Sequence, residues 1–325
     1  MTDRGSPLPS TWIPRDLYKG PAQPEPGVLK LDGNEGNPPP RKLLEDLAAA
    51  DLSKVRDYPD TRPLEAEIAE RLGVDPARVV VTAGADEALD RVFRAYLAPG
   101  RRLVLPVPAF EMMYRFAAVA GGEILPIPWR DTFPTDDVIA ALDDGVSLVV
   151  MISPNNPTGR TATASDLERV AEAASQVDSG AAFGAMVVLD HAYVEYSDQD
   201  LTSVAQHFDN VVTVRTFSKA WGLAGCRVGY AVASPEVATL LRNVGSPFPV
   251  AGLSLAAVRA QMSTGEAALA EHVEAVRAGR GRLTETLHRL GVETSPAQGN
   301  FVLGEFGARS DFVFNGLNAL RVRVR

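Results

Sequence analysis

The sequence predicts an α/β protein with a large domain, in which a mostly parallel sheet lies between helices, and a smaller α+β domain. Runs rich in Val, Leu and Ile alternate with helical patterns, and glycine or polar residues end most of these runs. Near-continuous apolar strands are typical of parallel sheets, because helices cover both faces of such sheets. After about residue 246 long helical patterns replace the alternation, which indicates the second domain.

The elements of the large domain follow an irregular arm. The first forty residues carry two proline clusters, GPAQPEPG and NPPP, which predict that arm. The first predicted strand is RVVVTAG, which stops at a glycine and leads into the helical pattern ADEALDRVFRAYL. Four more strands are predicted within RRLVLPVPAF, VSLVVMI, AMVVLDHAYVEY and NVVTVRTFSKA, with an amphipathic helix at DLERVAEAASQV. These elements predict a large domain over residues 41–245.

The remaining residues, 246–325, predict a smaller C-terminal domain, which the arm of residues 1–40 joins. Apolar residues recur near every third or fourth position from SLAAVRAQM to TETLHRLG, and this spacing predicts one or two long helices. The stretch NFVLGEF follows them as a predicted strand.

Composition limits the classes of function. The net charge of −9 argues against nucleic acid or an anionic membrane as a partner. The only cysteine, Cys226, excludes an intramolecular disulfide and is consistent with a reducing cytoplasm. The polar, proline-containing N-terminus is unlike a signal peptide, and the apolar run VSLVVMI is too short to span a bilayer. We therefore expect a cytoplasmic protein.

Polar residues stand where the predicted strands end, and ligands of open α/β sheets bind beyond those ends. One of them is Lys219, although only five of the 32 basic residues are lysines. The candidates are Gly84, Ala85 and Asp86 after the first strand, Phe110 after the second, Asn155 and Asn156 after the third, Asp190 and Tyr193 after the fourth, and Thr216, Ser218, Lys219 and Arg227 after the fifth.

These residue types suit one cofactor. A partly desolvated lysine amine can form a Schiff base with an aldehyde, and a carboxylate can keep a pyridine nitrogen protonated. A helix N-terminus with hydroxyls and an arginine binds phosphate, while an aromatic ring stacks on a flat cofactor. The set predicts a site for pyridoxal 5′-phosphate (PLP).

Each residue alone has a simpler interpretation. Asp190 could be a turn or cap residue, NNPTG is a good turn sequence, and Phe110 could belong to the core. Asp86 could be an early-turn acid that the helix dipole favours. The cofactor hypothesis depends on the order and spacing of the whole set.

That order resembles the fold-type I PLP-dependent aminotransferases, most closely the histidinol-phosphate aminotransferase group. The resemblance extends from about Tyr18 to Arg323. It is carried by YPD (58–60), GADE (84–87), SPNNPTG (153–159), DHAYVEY (190–196) and, most specifically, TFSKAWGLAGCRVGY (216–230).

The resemblance implies roles around the cofactor ring. Lys219 is the Schiff-base lysine, which also moves the proton during the reaction, and Asp190 is the partner of the ring nitrogen. Asn156 and Tyr193 hydrogen-bond the ring hydroxyl, and Phe110 stacks on the ring.

The resemblance also implies a phosphate site, a homodimer and a substrate pocket. Tyr58 is similar to a tyrosine that reaches the phosphate of the neighbouring subunit's cofactor. Tyr18, Asn34 and Arg323 match positions that contact the substrate, with Arg323 on its phosphate. The phosphate of the cofactor is held by the backbone of Ala85 and Asp86 and by Thr216, Ser218 and Arg227.

Two departures from the family pattern stand out. Gly36 occupies a position where the family has Asn, so we expect the arm to close differently. In the family, a second Leu-Arg-(Ile/Val) strand follows about a dozen residues after the position of LRVRVR (320–325), and its arginine binds the substrate carboxylate; this sequence ends at LRVRVR. The residue that binds the carboxylate is left open.

The expected reaction is amino transfer between a donor, L-histidinol phosphate or an aromatic amino acid, and 2-oxoglutarate. A PLP-dependent decarboxylase of the threonine-phosphate type shares the same motifs and is the alternative. A binding module of the same fold is disfavoured by the acidic charge. A nicotinamide dehydrogenase is disfavoured because no G-x-G-x-x-G follows a predicted strand.

Overall fold

The computed structural model describes residue 14 and the ranges 25–178 and 183–325. Its strands are β1 Leu29–Lys30, β2 Val79–Thr82, β3 Arg102–Val107, β4 Glu123–Pro128, β5 Val146–Ile152, β6 Met186–Asp190, β7 Val211–Thr216, β8 Gly229–Val232, β9 Glu293–Thr294, β10 Gly304–Glu305 and β11 Val322–Arg323. Its α-helices are α1 Lys42–Ala48, α2 Ser53–Arg56, α3 Arg62–Leu72, α4 Ala85–Tyr96, α5 Glu111–Ala120, α6 Thr135–Ala140, α7 Ala164–Ser175, α8 Thr202–Ala205, α9 Pro235–Val244, α10 Gly252–Thr264, α11 Glu266–Arg289 and α12 Ser310–Ala319.

Seven strands form one central sheet in the order β2-β8-β7-β6-β5-β3-β4. Neighbouring strands from β7 to β4 run parallel, whereas β8 is antiparallel to both β2 and β7. The predicted α/β class with a mostly parallel sheet is therefore confirmed. Two of the strands, β4 and β8, were not predicted.

Helices cover both faces of this sheet because its strand residues are apolar on both sides. On one face, alternate residues of the strands pack with α4, α5 and α9 around Leu103, Val150 and Val188. On the other face, Val149 and Val187 pack with residues of α7 such as Val170. Burial on both faces explains why the strands of the sheet interior are uniformly hydrophobic.

The C-terminal part contains the two long helices α10 and α11 and only short strands. The predicted strand NFVLGEF is reduced to Gly304–Glu305, which pairs with β9. Strand β1 of the arm pairs in parallel with β11, so the arm contacts this part of the chain. The division into residues 1–40, 41–245 and 246–325 stays a prediction. Among the described residues, we find no helix with the length and apolar character that a membrane crossing requires.

Candidate active site

One pocket lies beyond the carboxyl ends of the central strands, where the sequence predicts the site. Besides predicted residues, it is lined by Gly33, Leu89, Ala192 and Arg325. The fold thus brings together side chains that are far apart in sequence. The predicted residues in its wall are Asn34, Ala85, Asp86, Phe110, Asn156, Asp190, Tyr193, Thr216, Ser218, Lys219 and Arg227.

Lys219 is one of the residues that line this pocket. Its Nζ donates a hydrogen bond to the carbonyl oxygen of Gly33 over 2.9 Å and lies 5.5 Å from the centre of the Tyr193 ring. Burial lowers the pKa of Lys219 to about 8, against the opposing charges of Glu35 and Asp86. About a tenth of the side chain is therefore a neutral, nucleophilic amine at pH 7, far more than for an ordinary lysine.

Asp190 ends β6 and is buried beside the pocket. Burial raises the pKa of its carboxyl to about 6, although the Ala192 N–H donates to it over 3.0 Å. The nearby charge of Asp86 raises this pKa further, and that of Lys219 lowers it. Burial destabilises the charged form of this carboxyl. The carboxylate is therefore suited to a cationic partner inside the pocket.

Tyr193 receives two amide hydrogen bonds from different parts of the chain. Asn34 Nδ2 donates to its hydroxyl over 3.2 Å and Asn156 Nδ2 over 3.3 Å. Burial raises the pKa of Tyr193 to about 12, so the phenol keeps its proton and can donate it in a hydrogen bond. Asn300 Nδ2 donates to the Asn34 carbonyl over 3.0 Å and fixes this part of the arm.

The N-terminus of α4 forms a cradle for an anion. Gly84 precedes the helix with φ 85° and ψ 172°, a conformation that only glycine adopts readily. A Cβ at Gly84 would lie 2.8 Å from Arg227 Nη2. Arg227 Nη1 contacts Ser218 Oγ at 3.4 Å, and Nη2 contacts Asp86 Oδ2 at 3.3 Å. Free helix amides, a hydroxyl and a guanidinium suit a phosphate group.

Phe110 and Asn156 stand on two loops that are joined to each other. Phe110 directly precedes α5. The side chain of Asn155 donates to the carbonyl oxygen of Pro108 and to Thr158 Oγ1, each over 2.9 Å. Asn155 therefore keeps the two loops in a fixed relation, so that an aromatic face and an amide border the same pocket.

The arm packs backbone to backbone against the segment that carries the lysine. A Cβ at Gly36 would clash with the carbonyl oxygen of Lys219, and a Cβ at Gly222 would clash with the carbonyl oxygen of Asn37. The unusual Gly36 is thus required by this close approach, since asparagine could not occupy the same position without a backbone shift.

Some predicted residues are not in the pocket wall. Arg323 is not among the described residues that line the pocket, and its Nη2 lies 3.7 Å from Glu25 Oε1; its contact with the substrate stays a prediction. Tyr58 is 81% exposed and stacks on Phe248, with ring centres 4.5 Å apart. Tyr18 lies outside the described residues.

Arg325 lines the pocket instead, and sequence reasoning missed it. Its charge lowers the pKa values of Lys219 and Tyr193, which reflects its proximity to both. The stretch RVRVR alternates arginine and valine, so it gives no signal that distinguishes the three arginines. After α12 the backbone takes a left-handed φ of 61° at Arg321, and Arg325 is the one of the three that lines the pocket.

The chain matches the model of the family described as aminotransferase class I and II over residues 27–318. It is 35% identical to histidinol-phosphate aminotransferase 2 of Pseudomonas aeruginosa, over 96% of this chain and 84% of that protein. It is 32% identical to the aromatic amino acid aminotransferase of Mycobacteroides abscessus, over 94% of this chain and 87% of that protein.

Solved structures share the fold. The histidinol-phosphate aminotransferase from Sinorhizobium meliloti, in complex with pyridoxal 5′-phosphate, superposes with a TM-score of 0.81 at 25% identity and covers 92% of this chain and 82% of that one. The aspartate aminotransferase of Thermotoga maritima, at 24% identity, superposes with a TM-score of 0.77 over 91% of this chain and 82% of that one.

Proposed function

The chain belongs to the class I and II aminotransferase family, and from this premise we propose that it transfers an amino group from L-histidinol phosphate or an aromatic amino acid to 2-oxoglutarate. It is an aminotransferase that uses pyridoxal 5′-phosphate. The choice of donor is supported by the names of its relatives, which include histidinol-phosphate and aromatic amino acid aminotransferases. The observation that carries the reaction is the buried amine of Lys219, directed into the pocket near Asp190.

The residues of the pocket fit this cofactor. When bound, the cofactor supplies an aldehyde that combines with amines and a ring that withdraws electrons. Asp190 would hold the proton of the ring nitrogen, because its buried carboxylate needs a cationic partner. Tyr193 and Asn156 would hold the ring hydroxyl, and Phe110 would cover one face of the ring.

The phosphate of the cofactor would occupy the cradle at α4. The amides of Ala85 and Asp86 belong to the first helical turn, so they have no acceptor within the helix. Arg227 and Ser218 stand next to them, and Thr216 Oγ1 accepts from the Ser218 N–H over 3.1 Å. This arrangement would orient the whole ring relative to Lys219.

Lys219 would act twice in the reaction. As a neutral amine it is the nucleophile that binds the cofactor, and after release its Nζ would carry the proton taken from the substrate Cα. A pKa of about 8 suits both tasks, since the nitrogen can gain and lose a proton near neutral pH.

Arg325 would bind the anionic end of the donor in place of Arg323. It lines the same pocket as Lys219, and its guanidinium can form two parallel hydrogen bonds with a phosphate or carboxylate. Asn34 borders the pocket from the arm and would contact the substrate, as would Tyr18.

The active form would be a cytoplasmic homodimer. An exposed apolar surface is formed by Leu52, Val55, Tyr58 and Phe248, with exposures of 82%, 68%, 81% and 47%. A second copy of the chain would cover this surface. Tyr58 would then reach the cofactor phosphate of the partner subunit.

The test is an assay of the purified protein with L-histidinol phosphate and 2-oxoglutarate. The expected result is stoichiometric formation of glutamate, with phenylalanine and tyrosine compared as donors. Release of carbon dioxide without glutamate would overturn the proposal in favour of a decarboxylase. The Lys219→Ala variant is the control, because it lacks the nucleophile.

A further inference from the structure

The anion cradle before α4 is tied to a buried ion pair that lies outside the pocket wall. Glu87, in the first turn of α4, accepts a hydrogen bond from the backbone N–H of Ala83 through Oε2. Its other oxygen, Oε1, accepts from Arg91 Nη2 over 2.7 Å and from Nε over 3.2 Å. Both oxygens of the carboxylate are therefore engaged, one by the loop and one by the helix.

The surrounding structure fixes the side chain of Arg91. Its side chain is only 2% exposed, and Nη1 donates to the carbonyl oxygen of Leu241 in α9 over 3.3 Å. A Cβ at Gly245 would clash with the guanidinium, so Gly245 leaves the space that Arg91 fills. Such a buried guanidinium holds its carboxylate partner with little freedom.

The geometry of the cradle depends on the loop that Glu87 holds. Gly84 separates Ala83 from the helix. Its φ of 85° is one of many backbone conformations that glycine adopts, so Gly84 by itself does not fix the loop. Gly229 of β8 packs beneath, where a Cβ would lie 2.5 Å from the Ala85 nitrogen. The loop is thus limited from below by Gly229 and from the side by Glu87.

From these contacts we infer that Glu87, fixed by Arg91, is a positioning residue that aims the Ala85 and Asp86 amides at the cofactor phosphate. The inference rests on the cofactor assignment. The negative charge of Glu87 lies near the proposed phosphate site, and by itself it would weaken phosphate binding. Its effect through position and its effect through charge therefore have opposite signs.

The double variant Glu87→Met/Arg91→Met provides the test. Replacing a buried ion pair by apolar side chains of similar size is usually tolerated, whereas removing one partner leaves an uncompensated charge. The variant leaves the Ala83 N–H without its acceptor and frees the loop. We expect the Kd for PLP, measured on the cofactor-free full-length protein, to rise about tenfold or more. The Kd for inorganic phosphate should rise in parallel.

Pyridoxal, which lacks the phosphate, separates positioning from general damage. Its affinity should be the same in the variant and in the original protein, because it does not use the cradle. A matched control is the pair Asp90–Arg94 on the same helix, also spaced i and i+4, with Arg94 Nη1 bonded to the Val244 carbonyl of α9. Asp90→Met/Arg94→Met should leave all three affinities unchanged.

Two results would overturn the inference. One is an unchanged or tighter affinity of Glu87→Met/Arg91→Met for PLP and phosphate. The other is an equal loss for pyridoxal, which would indicate general disruption of the pocket. If the original protein itself binds no PLP, the cofactor assignment fails instead, and the two failures are distinct.

Discussion

The Nζ of Lys219 donates a hydrogen bond to the carbonyl oxygen of Gly33, which joins this buried lysine to the arm. A carbonyl oxygen can only accept, and it accepts from a neutral amine as well as from an ammonium. This contact therefore orients the nitrogen without requiring either protonation state. Burial, which lowers the pKa to about 8, sets the balance between the two states.

The first prediction concerns the pH dependence of cofactor capture by Lys219. Because only the neutral amine reacts, the rate of covalent PLP binding to cofactor-free protein should rise with pH through about 8 and level off above it. Stopped-flow absorbance measures the rate, and a free aliphatic amine measured alongside corrects for the ionisation of PLP itself. A midpoint near the ordinary lysine value of 10.5 would contradict the pKa of the buried amine.

The second prediction is that Asp190→Asn stabilises the cofactor-free protein while it disables the enzyme. The folded-state pKa of about 6 lies above the ordinary 3.8, so ionised Asp190 costs stability, and this cost appears as the pH rises from 3.8 to 6. At pH 7 the gain in the free energy of unfolding should be on the order of 3 kcal/mol.

Calorimetry at a series of pH values checks this gain, which should shrink as the pH falls from 6 towards 3.8. The kcat of the holoenzyme should fall by roughly two to three orders of magnitude, because the ring nitrogen loses its anionic partner. Equal melting temperatures of the original protein and of Asp190→Asn at pH 7 would show that ionised Asp190 does not destabilise the fold.

The third prediction separates Arg325 from Arg323. Arg325→Gln should raise the KM for L-histidinol phosphate about tenfold or more, since a charge-assisted hydrogen bond to the substrate is lost. Arg323→Gln should change the KM less than about twofold, because its guanidinium faces Glu25. Steady-state kinetics of both variants measure the difference. The reverse order of effects would favour the sequence prediction, in which Arg323 contacts the substrate.

The fourth prediction concerns a site shared between two subunits. The variants Lys219→Ala and Tyr58→Phe should each have low activity when alone. Mixed and allowed to exchange subunits, they should regain roughly a quarter of the original activity, because half of the dimers are mixed and each has one intact site. A mixture no more active than the average of the two variants would mean that Tyr58 does not serve the partner's site.

The sheet was predictable where its strands are buried on both faces, and not elsewhere. Strand β4 lies at the edge of the sheet and contains Pro126 and Pro128, which a sequence reading assigns to a loop. Strand β8 has only four residues and begins at Gly229, directly after a glycine-rich segment. Its antiparallel direction has no signature in so short a run, because direction is decided by the connections around it.

The side chains of the site were predictable because strand ends converge at one edge of the sheet. The Gly33 carbonyl was not, since a backbone acceptor has no residue type to reveal it. Arg325 was missed for a different reason. Alternate positions of an extended strand share a face, and arginines at 321, 323 and 325 satisfy that pattern equally well.

The close packing of Gly36 against Lys219 and of Gly222 against Asn37 limits when, during synthesis, the arm can reach its final position. The arm leaves the ribosome before the segment that receives it, since Gly33 and Lys219 are separated by 186 residues. No nascent chain that lacks residue 222 can make this contact. The contact between the arm and this side of the pocket therefore forms late, when an earlier-synthesised segment returns to a later one.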